Sequence, residues 1–95
     1  MTATLPTAPT TDVPAADTRI AELRGQIDDC DAEIIALVQR RLTISQEIGS
    51  IRAASGGTRL SLSREKQVLD KFGSALGPEG AALGMLLLRQ GRGRL

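Results

Sequence analysis

The chain has 95 residues, 41% of them hydrophobic but with Phe72 as the only aromatic, and a formal net charge of +1. So even a balance argues against nucleic acid or an anionic membrane as the main partner, and without Trp or Tyr there is no stacking platform for bases. With no histidine and one cysteine, an intrachain disulfide is excluded, and the usual nucleophilic, acid–base and zinc chemistries lose their best players.

Met1 to Ala16 are rich in Thr, Ala and Pro and lack both a basic start and an apolar core. They read as a disordered tail, not a signal peptide, and the tail is placed at residues 1–17. Asp17 or Thr18 offers an N-cap to a first helix running to about Ala53, with Glu22 in its early turns where the dipole favours a carboxylate. Along that helix Ile20, Leu23, Ile27, Cys30, Ile34, Leu37, Arg41, Ile44, Ile48 and Ile51 repeat at 3-4 spacing, which is the pattern of one long helix packing lengthwise on another. Cys30 reads as a small core residue on this stripe. At 1.5 Å per residue the helix is about 50 Å long, while a compact chain of this size has a radius of gyration of about 12 Å. The remaining chain is too short to cover the stripe, so a second copy laid alongside is the economical partner. The expected fold is all-α, with one long and two short helices per chain in an intertwined homodimer.

Ala54-Ser55-Gly56-Gly57 ends the first helix, its glycines supplying the positive-φ geometry a terminus needs. No strand precedes them and no Gly-Lys-Ser/Thr follows, so they do not make a phosphate-binding loop. Ser61 or Ser63 caps a second helix with Leu62, Val68, Leu69, Phe72 and Leu76 on its apolar side. Gly77-Pro78-Glu79 breaks it and opens a third helix through Leu83, Leu86 and Leu87 to about Gln90. Arg92, Gly93, Arg94 and Leu95 are too glycine-rich to hold a helix firmly. No segment has the character of a membrane span, and residues 18–95 form one domain.

The chemistry left to the chain is that of arginine. A guanidinium on the packing seam, as at Arg41, needs an anionic partner or loses several kcal/mol to desolvation, and that partner can be a ligand. Arg41 and Arg52 are eleven residues apart, almost three turns, so both rise from one helix face with Cα atoms about 16 Å apart and can converge on an anion between them. Arg24 lies seventeen residues before Arg41, about 25 Å down the axis and rotated by roughly 100°, so it can join them only from a second chain. Each has a plainer reading. Arg41 can set register in the seam, and Arg24, Arg52 and Arg64 can be solvated flank charges. Arg19 and Arg40 read as surface charges, and Glu65 as a carboxylate favoured by a helix N-terminus.

Together, Leu23-Arg24-Gly25-Gln26-Ile27-Asp28, Asp31, Ala36-Leu37-Val38-Gln39-Arg40-Arg41, Ile48-Gly49-Ser50-Ile51-Arg52 and Ser63-Arg64-Glu65 resemble the all-helical, AroQ-class chorismate mutases. Ala54 to Leu60 and Leu86 to Leu95 are similar to the short intracellular subclass. The resemblance covers roughly residues 18–95. It implies a cytoplasmic homodimer with two pockets, each completed by an arginine from the partner's long helix, that rearranges chorismate to prephenate for phenylalanine and tyrosine biosynthesis without a cofactor or metal. Carried onto this chain, Arg41 and the second copy's Arg24 would clamp carboxylates, Arg52 would serve a carboxylate and the ether oxygen, Arg64 would add a carboxylate contact, and Glu65 would hold the ring hydroxyl. Thr58 and Ser61 complete the implied substrate contacts.

Ser61 stands where better-equipped members carry aspartate, and the glycine-rich end stands where they place a glutamine, which implies a slow isolated enzyme. Short intracellular members are activated by 3-deoxy-D-arabino-heptulosonate-7-phosphate (DAHP) synthase through their C-terminal tail, and Arg92, Gly93, Arg94 and Leu95 match such a tail. Two other readings stay open at the sequence level: an isochorismate pyruvate-lyase or 4-amino-4-deoxychorismate mutase on the same scaffold, and a non-catalytic helical dimerisation module. Four arginines at matching intervals weigh against the last.

Overall fold

A computed structural model of the chain describes residues 13–57 and 61–92, which form three helices, α1 (Val13–Ala54), α2 (Leu62–Leu76) and α3 (Pro78–Arg92), and no strand. The expected all-α order is what the chain adopts. α1 starts five residues before the expected Thr18. Pro14 falls in its first turn, where a missing N–H costs nothing and the fixed φ suits a helix, and Ala15 and Ala16 are strong helix formers. Thr18 is therefore inside the helix, its hydroxyl donating to the Pro14 carbonyl at 2.9 Å, and is not its cap. The tail boundary at residue 17 is corrected accordingly for residues 13–17, while residues 1–12 lie outside the described part.

The chain divides into two compact units, Met1–Ile35 and Ala36–Leu95. In the first, the described residues are all α1 and all exposed. Ile27 and Ile34 are 58% and 57% exposed, and Cys30, expected to be a core residue, is exposed as well. The stripe has no cover from its own unit.

The second unit holds the rest of α1 with α2 and α3. α1 ends in a Schellman motif: Gly56 adopts φ +79°, the Gly57 N–H reaches the Arg52 carbonyl at 2.8 Å and the Gly56 N–H reaches that of Ala53 at 3.3 Å. Ser61 caps α2, its hydroxyl accepting from the Arg64 N–H at 3.4 Å. Gly77, at φ +83°, closes α2 with an N–H bond to the Gly73 carbonyl at 2.8 Å, and Pro78 opens α3 immediately after.

α2 and α3 pack as a tight antiparallel hairpin because small residues face large ones. A Cβ on Gly80 would overlap the Phe72 carbonyl and the Leu76 Cβ, and one on Gly84 would sit 3.4 Å from the Phe72 Cβ and 3.6 Å from the Leu69 Cδ2. Gly80 and Gly84 are buried, and Val68, 2% exposed, is the buried apolar side chain among the described residues. Leu62 and Leu76, expected on the apolar side of α2, lie at its two ends and remain 73% and 59% exposed.

Candidate active site

Within the second unit the three helices enclose a cleft of about 920 Å³, a size that suits a small molecule. α1 contributes Arg40, Arg41, Ser45 and Arg52. The N-cap and first turns of α2 contribute Ser61, Arg64, Glu65 and Val68. The end of α3 contributes Leu88, Gln90, Gly91 and Arg92. Five guanidinium groups thus surround a space with one carboxylate on its wall, an environment for a small polyanion.

The local sequence explains each position. Arg41 and Arg52 project from one face of α1, as their spacing requires. The Arg41 Nη1 donates to the Leu87 carbonyl at 3.2 Å, which ties this stripe cation to the backbone of α3. Arg52 lies one turn before the Schellman glycines, and its own carbonyl anchors that turn. Ser61, as N-cap, directs Arg64 and Glu65 into the first turn of α2, where the dipole favours the Glu65 carboxylate. Arg64 is exposed, with its Nη1 3.4 Å from the Gln67 Oε1.

Glu65 does not stand alone. The Arg92 Nε donates to its Oε2 at 2.8 Å, and the Arg92 Nη2 donates to its Oε1. This hydrogen bonding to Glu65, aided by the charge attraction and opposed by desolvation, raises the already high pKa of Arg92.

The structure therefore brings together Arg41, Arg52, Arg64, Glu65 and Ser61 of the sequence-derived set. Arg24 belongs to the first unit and is an exposed residue of α1. Thr58, together with Gly93, Arg94 and Leu95, lies outside the described residues. Several lining residues were missed, among them Arg40, which was read as a surface charge, and Ser45, Gln90 and Arg92. Arg92 was assigned to a loose tail, whereas it ends α3. The signal for Arg92 was available as Glu65 in the first turn of one helix and a cation in the last turn of its antiparallel neighbour. Among the described residues no group of Cys, Asp and Glu is arranged to hold a metal ion, and no helix is long and apolar enough to cross a membrane.

Comparison with known proteins gives this geometry its context. Residues 23–84 match the family described as chorismate mutase type II. The chain is 59% identical over 76 residues to an intracellular chorismate mutase of Mycolicibacterium smegmatis, covering 80% of this chain and 73% of that protein. It is 57% identical over 83 residues to one of Mycobacterium tuberculosis, covering 87% and 74%. Among solved structures it is similar, with a TM-score of 0.83 and 46% identity, to a chain of a non-covalent complex of DAHP synthase and chorismate mutase from Corynebacterium glutamicum with a bound transition-state analogue, covering 86% of this chain and 99% of that one.

Proposed function

The chain belongs to the chorismate mutase type II family, and from that membership we infer that it is an isomerase converting chorismate to prephenate for aromatic amino-acid biosynthesis, with the arginine-lined cleft as its active site. The observation that carries the site assignment is the convergence of Arg41, Arg52, Arg64 and Glu65 on one small-molecule-sized cleft. The reaction is an intramolecular Claisen rearrangement. One C–O bond of the enol ether breaks as one C–C bond forms, with no proton transfer and no covalent adduct, which suits a wall without histidine. Of the relatives described above, each bears the mutase name, which favours this reading over the lyase and the amino-substrate mutase.

Chorismate carries two carboxylates, and the cleft carries cations to match. Arg41 and Arg64 take carboxylate oxygens, while Arg52 takes a carboxylate and the ether oxygen, which becomes more negative as the C–O bond lengthens. A cation preorganised at that oxygen binds the transition state more strongly than the substrate, an effect worth about 3 to 4 kcal/mol for one such donor. Holding both carboxylates also selects the compact conformer in which the bond-forming carbons meet. Glu65 accepts the ring hydroxyl, and Ser61 borders the same space.

Two further parts belong to this reading. The exposed isoleucines and leucines repeat along one stripe of α1, which supports an isologous homodimer in which the second copy supplies Arg24 to the cleft. DAHP synthase is the proposed activating partner, supported by the solved complex from C. glutamicum, with the chain end from Arg92 through Gly93, Arg94 and Leu95 as the contact. Both fit a cytoplasmic enzyme. Purified protein given chorismate should yield prephenate, and Arg52→Ala should lower kcat/KM by about 100- to 1,000-fold with the helical content unchanged. Adding the synthase should raise turnover, and removing residues 93–95 should abolish the rise. An Arg52→Ala protein with normal turnover contradicts the site.

A further inference from the structure

The ion pair between Arg92 and Glu65 differs from the others described. Arg19 with Glu22 and Lys66 with Asp70 are pairs along one helix surface, with every partner more than half exposed. Arg92 and Glu65 are 23% and 15% exposed, come from two different helices, and both line the cleft. Their geometry is fork to fork, one donor to each carboxylate oxygen. Such a pair fixes the plane of the carboxylate and leaves one lone pair on each oxygen free to accept another donor.

The approach that makes the pair is built into the neighbouring residue. A Cβ on Gly91 would lie 2.9 Å from the Ser45 Oγ and 3.1 Å from the Ser45 Cβ, so glycine here lets the end of α3 lie this close to α1 without displacing Ser45. One turn earlier on α3, the Leu87 carbonyl accepts from Arg41. The last turn of α3 is thus held against α1 on one side and reaches Glu65 of α2 on the other. A stability-only ion pair has no need of the cleft wall.

We propose that Arg92 is a positioning residue of the mutase reaction, orienting the Glu65 carboxylate so that a remaining lone pair accepts the ring hydroxyl of the substrate. The proposal rests on the reading of Glu65 as the hydroxyl's acceptor. Arg92 acts through Glu65 and touches no reacting atom. Misplacing a substrate-holding group by about 1 Å can cost up to about 100-fold in rate, so the effect belongs in turnover more than in binding.

The test is a cycle of kcat and KM on the intact enzyme, Arg92→Ala, Glu65→Gln and the double variant, at a temperature where circular dichroism shows all four folded, with Arg92→Lys as a variant that keeps the charge but loses the fork. Arg92→Ala should lower kcat about 10-fold or more with KM changed less than about threefold, Arg92→Lys should recover only part, and in the Glu65→Gln background the loss of Arg92 should cost less than about twofold. The same factor lost in both backgrounds, or full activity in Arg92→Lys, overturns the proposal. So does a gain in turnover on removing Arg92, which would mean that the guanidinium competes with substrate for the carboxylate. Full activity in Glu65→Gln overturns the reading of Glu65 and the proposal together, whereas impaired Glu65→Gln with normal Arg92→Ala overturns the proposal alone.

Discussion

Two regions of this chain solve the problem of burying apolar surface in opposite ways. The α2–α3 hairpin, two helices of 15 residues each, seats Gly80 and Gly84 against Phe72 and Leu69, and Val68 of α2 is buried. The part of α1 in the first unit has isoleucines and leucines at regular 3-4 spacing and buries none of them. The hairpin is complete within one chain. The proposed homodimer would make the stripe on this arm a half-interface, and its regularity is the reason: a seam repeated without interruption suits another long helix, while irregular small-to-large contacts suit a specific neighbour in the same fold. On this account the arm serves assembly and the second unit serves chemistry.

The largest expected effect breaks the arm. Ile34→Asp places a carboxylate in the middle of the stripe, where a single chain has nothing to disturb but a dry seam would bury an unpaired charge at a cost of several kcal/mol. Sedimentation at micromolar concentration should change from twice the chain mass to the chain mass, and mutase activity should fall with it. A dimeric, active Ile34→Asp protein would mean that the stripe faces solvent.

A smaller effect sharpens the contrast through one substitution made in each region. Gly80→Ala pushes a methyl group into the Phe72 carbonyl and should destabilise by about 1 to 3 kcal/mol. Gly25→Ala, with nothing within 4 Å of the added Cβ in an exposed helix interior, should stabilise by about 0.5 to 1 kcal/mol. Thermal melts at equal protomer concentration should therefore move in opposite directions. Equal shifts would show that the two regions are packed alike.

Much of this was legible in the sequence, for identifiable reasons. The 3-4 repeat gave the long helix, and Gly56-Gly57, Ser61 and Gly77-Pro78 gave its end, the next cap and the following break, because caps and positive-φ turns depend on residue type at a single position. The spacing of Arg41 and Arg52 put both on one face. The beginning of α1 was not legible because Pro14, Ala15 and Ala16 have the composition of a tail and the conformational tolerance of a first helical turn. Arg92 was hidden by its neighbours. Gly91 resembles a fraying signal in one dimension, and only the packing against Ser45 reveals it as the small residue that a close crossing requires. Gln90 and Arg40 were missed because a cleft wall selects by direction around a helix axis, which composition near a chain end does not give.

The most direct test of the account is subunit exchange between Arg24→Ala and Arg52→Ala proteins, because it asks whether the arm of one copy completes the cleft of the other. Each variant alone should be nearly inactive. Random exchange makes half of the dimers hybrid, and each hybrid has one cleft with both arginines intact, so the equimolar mixture should regain about one quarter of the intact enzyme's activity. Recovery of that size is the predicted result, whereas a mixture no more active than its parents, or an Arg24→Ala protein that is fully active by itself, would contradict the account.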